Sequence, residues 1–306
     1  MTTQRRTPAV KGAVVVGVDA SRAGTQAVDW AAHQAALEHR GLVLVHATGT
    51  LGTTGTTWLD SADPDRSPGI AMILQEGAAV LSPAVRRVCE RHPELDVDTY
   101  VATEDPAPEL RRLTDDAHLL VVGSRGGSLL RHLPTWQVGA RVAGRAACPV
   151  VVVPAHDTEV VRQGVLVGAD LSNRAGPVLR FAYRLASLHE QPLTVVHLAR
   201  ERHDQVDAER FLAESVAGMR EEFPDVHADL RVLHGSPAAR LVRMADRKHI
   251  LVVGRHHQLG TYETLVGHVH ASVVDRSPCP VAVVPLRLDD ERQDTGRRST
   301  SHSVNA

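Results

Sequence analysis

Aromatic residues are few: Phe, Tyr and Trp together make up 3% of the 306 residues. That excludes a core built on aromatic clusters and leaves aliphatic strands and alanine-rich helices. Cysteine is nearly absent as well. Cys89, Cys148 and Cys279 form neither a paired framework nor a zinc spacing, so reduced, mostly buried thiols are expected. No apolar run approaches the roughly 20 residues that cross a bilayer. The opening MTTQRRTPAV has no apolar stretch of signal-peptide length. A cytoplasmic protein with no membrane partner is therefore expected. Excess charge of one sign is missing too, because 34 Lys and Arg face 36 Asp and Glu for a net charge of -2. Such a balance gives no general attraction to nucleic acid, and no nucleic-acid partner is expected. Neither a G-x-S-x-G nucleophile elbow nor a Walker loop occurs.

What the chain does have is a repeat. AVVVGVDAS (13–21) matches VLVGADLS (165–172), and LVLVHA (42–47) matches LTVVHL (193–198). HLLVVGSRG (118–126) matches HILVVGRHH (249–257), and ACPVVVVP (147–154) matches PCPVAVVP (278–285). The intervals agree: Asp19 to His46 and Asp170 to His197 are both 27 positions, and Gly123 to Cys148 and Gly254 to Cys279 are both 25. Only the middle differs, with 104 positions from Asp19 to Gly123 against 84 from Asp170 to Gly254. The excess falls in the Gly-, Thr-, Ser- and Pro-rich stretch 49–69, which reads as an inserted loop. The expected organisation is a first domain over 1–155, a linker over 156–164 and a second domain over 165–286. The polar, aperiodic segment 287–306 is expected to be a disordered tail.

Each copy alternates Val-rich runs of four to seven residues with helical patterns. Such runs are strands buried on both faces. Ala27, Ala31 and Ala35 recur four apart, and Val178, Ala182 and Leu185 share one helical face. The expected fold is α/β, with two tandem doubly wound parallel-sheet domains. Ligands of such sheets lie beyond the carboxyl ends of the strands at the switch point. There the sequence puts Asp19, Ala47 and Gly123 in one copy and Asp170, Leu198 and Gly254 in the other. The proline-flanked apolar runs 150–153 and 281–284 are expected to be edge strands, which invite pairing.

At VGVDAS, LVHA, VVGSRG and CPVVVVP, and at their partners in the second copy, the chain resembles the universal stress protein family in its tandem form, from about Gly12 to Pro285. The resemblance implies an adenine-nucleotide α-hydrolase-like, Rossmann-like fold. It also implies an internal pseudo-dimer in which the two last strands pair, with a further homodimer or an unidentified protein as other partners. Many members of the family bind ATP with magnesium through G-x2-G-x9-G-(S/T). Glycines there let backbone amides approach phosphate, and the last Gly and hydroxyl sit at a helix N-terminus that favours an anion. Carried over, the resemblance implies nucleotide contacts at Val18, Asp19, Ala47, Gly123, Arg125 and Gly126. In the second copy it implies them at Ala169, Asp170, Leu198, Gly254 and Gly267.

The pattern is incomplete in both copies. Trp136 and Gln137 stand where the first copy needs Gly and Ser or Thr. His257 replaces the second glycine of the second copy, and His268 replaces its hydroxyl. His256, His257, His268 and His270 cluster at that loop, either as a metal or anion site or as a solvated His-rich loop; their one- and two-residue spacings favour the loop. His46 and His197 end matching strands and are expected to hydrogen-bond structurally, and the remaining histidines are expected at the surface. Asp105-Pro106 and Ser236-Pro237 read as helix caps followed by Pro. Three functions follow: a stress-response or regulatory protein that binds a small ligand, with ATP in a degenerate site; an interaction module that has lost the nucleotide; and a slow ATP hydrolase, for which no general base is in evidence. No catalytic residue and no bound metal are expected.

Overall fold

The computed structural model describes residues 9–49, 68–124, 138–157, 160–170, 175–199, 205–255 and 269–286. Most of the inserted loop (50–67) and the tail 287–306 lie outside these residues. The first copy runs β1 (Val14–Gly17), α1 (Arg22–Leu37), β2 (Leu42–Ala47), α2 (Pro68–Arg91), β3 (Val97–Ala102), α3 (Pro106–Leu113), β4 (Leu119–Ser124), α4 (Val138–Ala143) and β5 (Val150–Pro154). The second copy runs β6 (Val165–Ala169), α5 (Gly176–Leu188), β7 (Leu193–Ala199), α6 (Gln205–Glu222), β8 (Ala228–His234), α7 (Pro237–Met244), β9 (Ile250–Arg255), α8 (Val269–Arg276) and β10 (Val281–Pro285). Helix α2 thus begins at Pro68, inside the end of the stretch expected to be loop. Proline suits a first helical position, where its missing N–H has no partner to lose.

All ten strands form one sheet in the order β3-β2-β1-β4-β5-β10-β9-β6-β7-β8. Within each copy the neighbours are parallel, and the single antiparallel pair is β5 with β10, Val281 opposite Val152 and Val283 opposite Val150. The two last strands, edges of their own copies, therefore pair with each other. Their apolar edges are covered by one another. The outer edges of the whole sheet are β3 and β8 instead, where charged Asp98, Asp229 and Arg231 are exposed. Charge on an edge discourages further strand pairing.

Val14, Val15 and Val16 are completely buried, as expected of a strand with helices on both faces. Their side chains alternate between two cores: Val14 and Val16 join one, Val15 the other. The first core takes residues of α1, α2, α5 and α6, and the second those of α3, α4, α7 and α8. Both cores pass through β5 and β10, since Val151 and Ala282 share the first and Val152 and Val281 the second. The hydrophobic core is thus continuous across the two copies.

Helix α1 shows how the local sequence sets its element. Ser21 is extended (φ -82, ψ 161) and its hydroxyl accepts from the Gly24 amide, the N-cap arrangement. Ala27, Ala31 and Ala35 face the core with no exposed surface, so the helix lies close against the sheet. It ends when His39 takes φ 53; the Arg40 amide then reaches Ala35 O (2.9 Å) and the His39 amide reaches Ala36 O (3.2 Å). The second copy repeats this at α5, with Glu190 at φ 51 and the Gln191 amide on Ala186 O (2.8 Å). Both are Schellman endings, made here without the usual glycine. The Asp105-Pro106 and Ser236-Pro237 starts do place Pro at the head of α3 and α7, but neither side chain bonds the helix amides. Proline, not the preceding polar side chain, shapes those helix starts.

Candidate functional site

In the first copy the strand order reverses between β1 and β4, and this is where a doubly wound sheet opens a crevice. Gly17 is paired with Val45 of β2 and with Val122 of β4. Asp19, Ala47 and Gly123 follow these residues by one or two positions, so the topology brings all three to the same end of three adjacent strands. The second copy does the same. Gly168 pairs with Val253 and Ala169 with His197, which sets Asp170, Leu198 and Gly254 side by side. Arg125, Gly126, Trp136, Gln137, His256, His257, Gly267 and His268 lie outside the described residues.

The β1 end is tightly held. The Val18 amide donates to Val45 O (2.7 Å), and the His46 ring nitrogen Nδ1 lies 2.8 Å from Val18 O. In the second copy His197 Nδ1 lies 3.0 Å from Ala169 O. Since a backbone carbonyl only accepts, each Nδ1 carries the proton. The matched histidines thus fix the turn that carries Asp19 or Asp170. Asp19 Oδ1 accepts from the Ser21 amide (3.1 Å) and from the Ser21 hydroxyl, and the Ser21 hydroxyl accepts from Gly24 (3.0 Å). Asp19 is therefore bound into the start of α1, where a carboxylate also meets the positive end of the helix. A side chain at Gly24 would collide with that carboxylate.

The two motif glycines have different described neighbours. A Cβ on Gly123 would stand 2.7 Å from the backbone of both Ala23 and Gly24. The end of β4 thus lies directly against the first turn of α1. Among the described residues, a Cβ on Gly254 would meet the side chains of Val178 at 3.1 Å and Leu286 at 3.2 Å. The next residue differs as well. Where the first copy has Ser124, the second has Arg255, whose Nη1 donates to Ala146 O of the first copy. Burial holds that guanidinium below its ordinary value, with the neighbouring Cys148 acting the other way. Nothing in the sequence marked Arg255 as a residue that joins the copies.

Among the described residues no group of three or more His, Cys, Asp or Glu side chains could hold a metal ion. His270 lies toward the first copy, its Nε2 3.9 Å from where a Cβ on Gly144 would be. Cys148 and Cys279 are free and buried, and burial pushes their thiols up to about 12 and about 11. Cys89 is free and exposed, so two of the three thiols are buried, in line with a mostly buried set. His189 and His249 correct the expectation of surface histidines. Their rings lie 4.6 Å apart, both half-buried where the copies meet. No helix among the described residues is long and apolar enough to cross a membrane.

A sheet of order 3-2-1-4-5 that is doubled through its last strand, with an acidic residue closing β1 and a glycine closing β4 in each half, defines a tandem nucleotide-fold protein. The sequence model of the universal stress protein family matches residues 12–154 and again 162–285. The chain belongs to the universal stress protein family. It is similar to universal stress protein Rv2005c of Mycobacterium tuberculosis, 30% identical over 294 residues that cover 90% of this chain and 98% of that one. Universal stress protein Rv2623 of the same organism is 30% identical over 290 residues, covering 88% and 95%. A universal stress protein of Archaeoglobus fulgidus has the same fold, with a TM-score of 0.68 at 19% identity over 90% of this chain and 97% of that one.

Proposed function

We propose that the protein is a stress-response regulator that acts by binding ligand rather than by turnover, with its first crevice as the site for ATP with magnesium. The observation that carries this reading is the first-copy arrangement of Asp19, Ala47 and Gly123 around a capped helix start. Asp19 offers a carboxylate oxygen to ribose hydroxyls, and the small Ala47 leaves room for a base beside β2. Gly123, Arg125 and Gly126 would follow the phosphates, and Val18 would line the base. In the second copy the equivalents are Ala169, Asp170, Leu198, Gly254 and Gly267. There the larger Leu198 narrows the base position, and Arg255, next to Gly254, is engaged with Ala146 of the first copy. That engagement favours a second reading for this copy alone, as a structural partner that completes the sheet.

Calorimetric titration of ATP and magnesium into the full chain tests the proposal. Saturable binding is expected, weakened at least tenfold by Ala47→Leu, which brings the second-copy residue into the first crevice, and unchanged by Leu198→Ala. The absence of heat at millimolar ATP refutes nucleotide binding and leaves an interaction module. Equal loss from both substitutions refutes the assignment to the first crevice.

A further inference from the structure

We propose that the contact between the carboxyl ends of α1 and α5 is a proton-sensitive latch joining the two copies, closed when its histidines are neutral and weakened when they take up protons. The repeat makes Glu38 and His189 equivalent positions, each the residue that closes its helix. It likewise makes His118 and His249 equivalent, each just before a central strand. The first copy thus holds an acid and a base, with His118 Nε2 2.6 Å from Glu38 Oε2. The second copy holds two bases, His189 and His249, with ring centroids 4.6 Å apart.

Gln34 links the two pairs across the seam. Its Nε2 donates to Glu38 Oε1 at 3.0 Å, which leaves its Oε1 to accept from His189 Nε2 at 2.7 Å. His189 therefore carries its single proton on Nε2 in the closed form. A second proton would have to go to Nδ1, and the surroundings oppose the added charge. His249 faces His189 within its own copy, and Arg162 acts on His249. From α1, His33 stands 5.5 Å from His189, with His92, just past the end of α2, 6.2 Å beyond it, and the Trp30 ring stacks on His189 at 6.5 Å. Among the described residues, the carboxylate facing His189 is Glu38, already shared by His118, Arg184 and Arg40, while Glu94 lies 3.9 Å from His92.

Burial holds the His189 imidazole down to about 3, helped by His249 and His33 and opposed by Glu38. Burial also lowers His249, and partial desolvation, with His92 beside it, lowers the otherwise exposed His33. The direction of the effect follows. An opened seam returns His189 to its ordinary value of 6.5, so below that pH the open form binds protons that the closed form refuses. The stability contributed by the closed latch is complete above pH 6.5 and falls as pH drops toward about 3. At about pH 5, His189 alone shifts the closed-to-open equilibrium about 30-fold toward open.

Hydrogen exchange of the full chain at pH 7.5 and 5.0, corrected for the intrinsic rate, tests this. Opening of the segments around Gln34–Arg40 and Leu185–Gln191 is expected to rise about 30-fold at the lower pH, with β1 and β6 unchanged. In His189→Gln, which keeps a side-chain donor for Gln34 but does not titrate, that rise is expected to fall sharply, leaving only what His249 and His33 contribute. Equal exchange at the two pH values in the wild type, or the same rise in His189→Gln, overturns the proposal. Titration of the wild-type His189 ring by NMR gives a second readout that needs no variant. A midpoint below 4 supports the latch, and one near 6.5 overturns it.

Discussion

The Gly123→Ala substitution separates two reasons for a glycine at the end of β4: close approach to phosphate and close approach to helix α1. A new Cβ would stand 2.7 Å from the Ala23 carbonyl carbon and from the Gly24 nitrogen, and 2.9 Å from Ala23 O. All three are backbone atoms of a helix start already held by Ser21 and Asp19, so no flexible side chain can give way. Overpacking of this kind costs about 3 kcal/mol. Alanine also restricts the unfolded chain, which returns about 0.5–1 kcal/mol. The net loss is about 2 kcal/mol, or about 4–8 °C in Tm. Gly254→Ala meets two side-chain methyls at 3.1 and 3.2 Å. These are the contacts among the described residues, and they can shift by a few tenths of an ångström, so these two alone are expected to cost under about 0.5 kcal/mol. Urea unfolding followed by circular dichroism, with a calorimetric scan, gives both values in nucleotide-free protein. If Gly123→Ala costs under about 0.5 kcal/mol, the packing argument is wrong.

Two further outcomes follow from burial. Iodoacetamide at neutral pH is expected to modify one thiol of the native protein, Cys89, and all three in urea, because Cys148 and Cys279 are buried with raised thiols. Mass spectrometry counts the adducts, and rapid native labelling of a second cysteine contradicts the buried assignment. Tyr183 is fully buried, and its hydroxyl has no hydrogen-bond partner among the described residues. Tyr183→Phe is accordingly expected to be neutral or to stabilise by up to about 1 kcal/mol. A loss of more than about 1 kcal/mol in the urea midpoint would show that the hydroxyl is bonded.

Much of the fold was legible in the residues themselves. Valine runs such as Val14–Val16 need burial on both faces, and that need is local, so the strands and the parallel layers could be read directly. The repeat gave the equivalences Asp19 with Asp170 and Gly123 with Gly254, and the crevice follows from topology once the strands are known. The structural role of His46 and His197 was legible for the same reason, since each ends a strand beside the turn it holds.

Other features depended on contacts between residues far apart in the chain, which no local pattern records. Gln34 and His189 are 155 positions apart and Arg255 and Ala146 are 109 apart, so neither contact leaves a spacing to find. His189 and His249 look like ordinary polar residues beside helix and strand ends until the second copy turns over and its α5 meets α1. Only the repeat, read at Glu38 and His118, held a trace of that seam. The sequence by itself determined the two copies, their strands and helices and the family, because burial periodicity and repetition are properties of the chain. The pairing of the two last strands was expected from their edge character and the resemblance; the tertiary structure decided that they pair antiparallel at the centre of one ten-stranded sheet, that the backbone of α1 closes on Gly123, and that four matched side chains meet at one seam. Those outcomes depend on how two finished halves dock, and docking is set by surfaces that exist only after each half has folded.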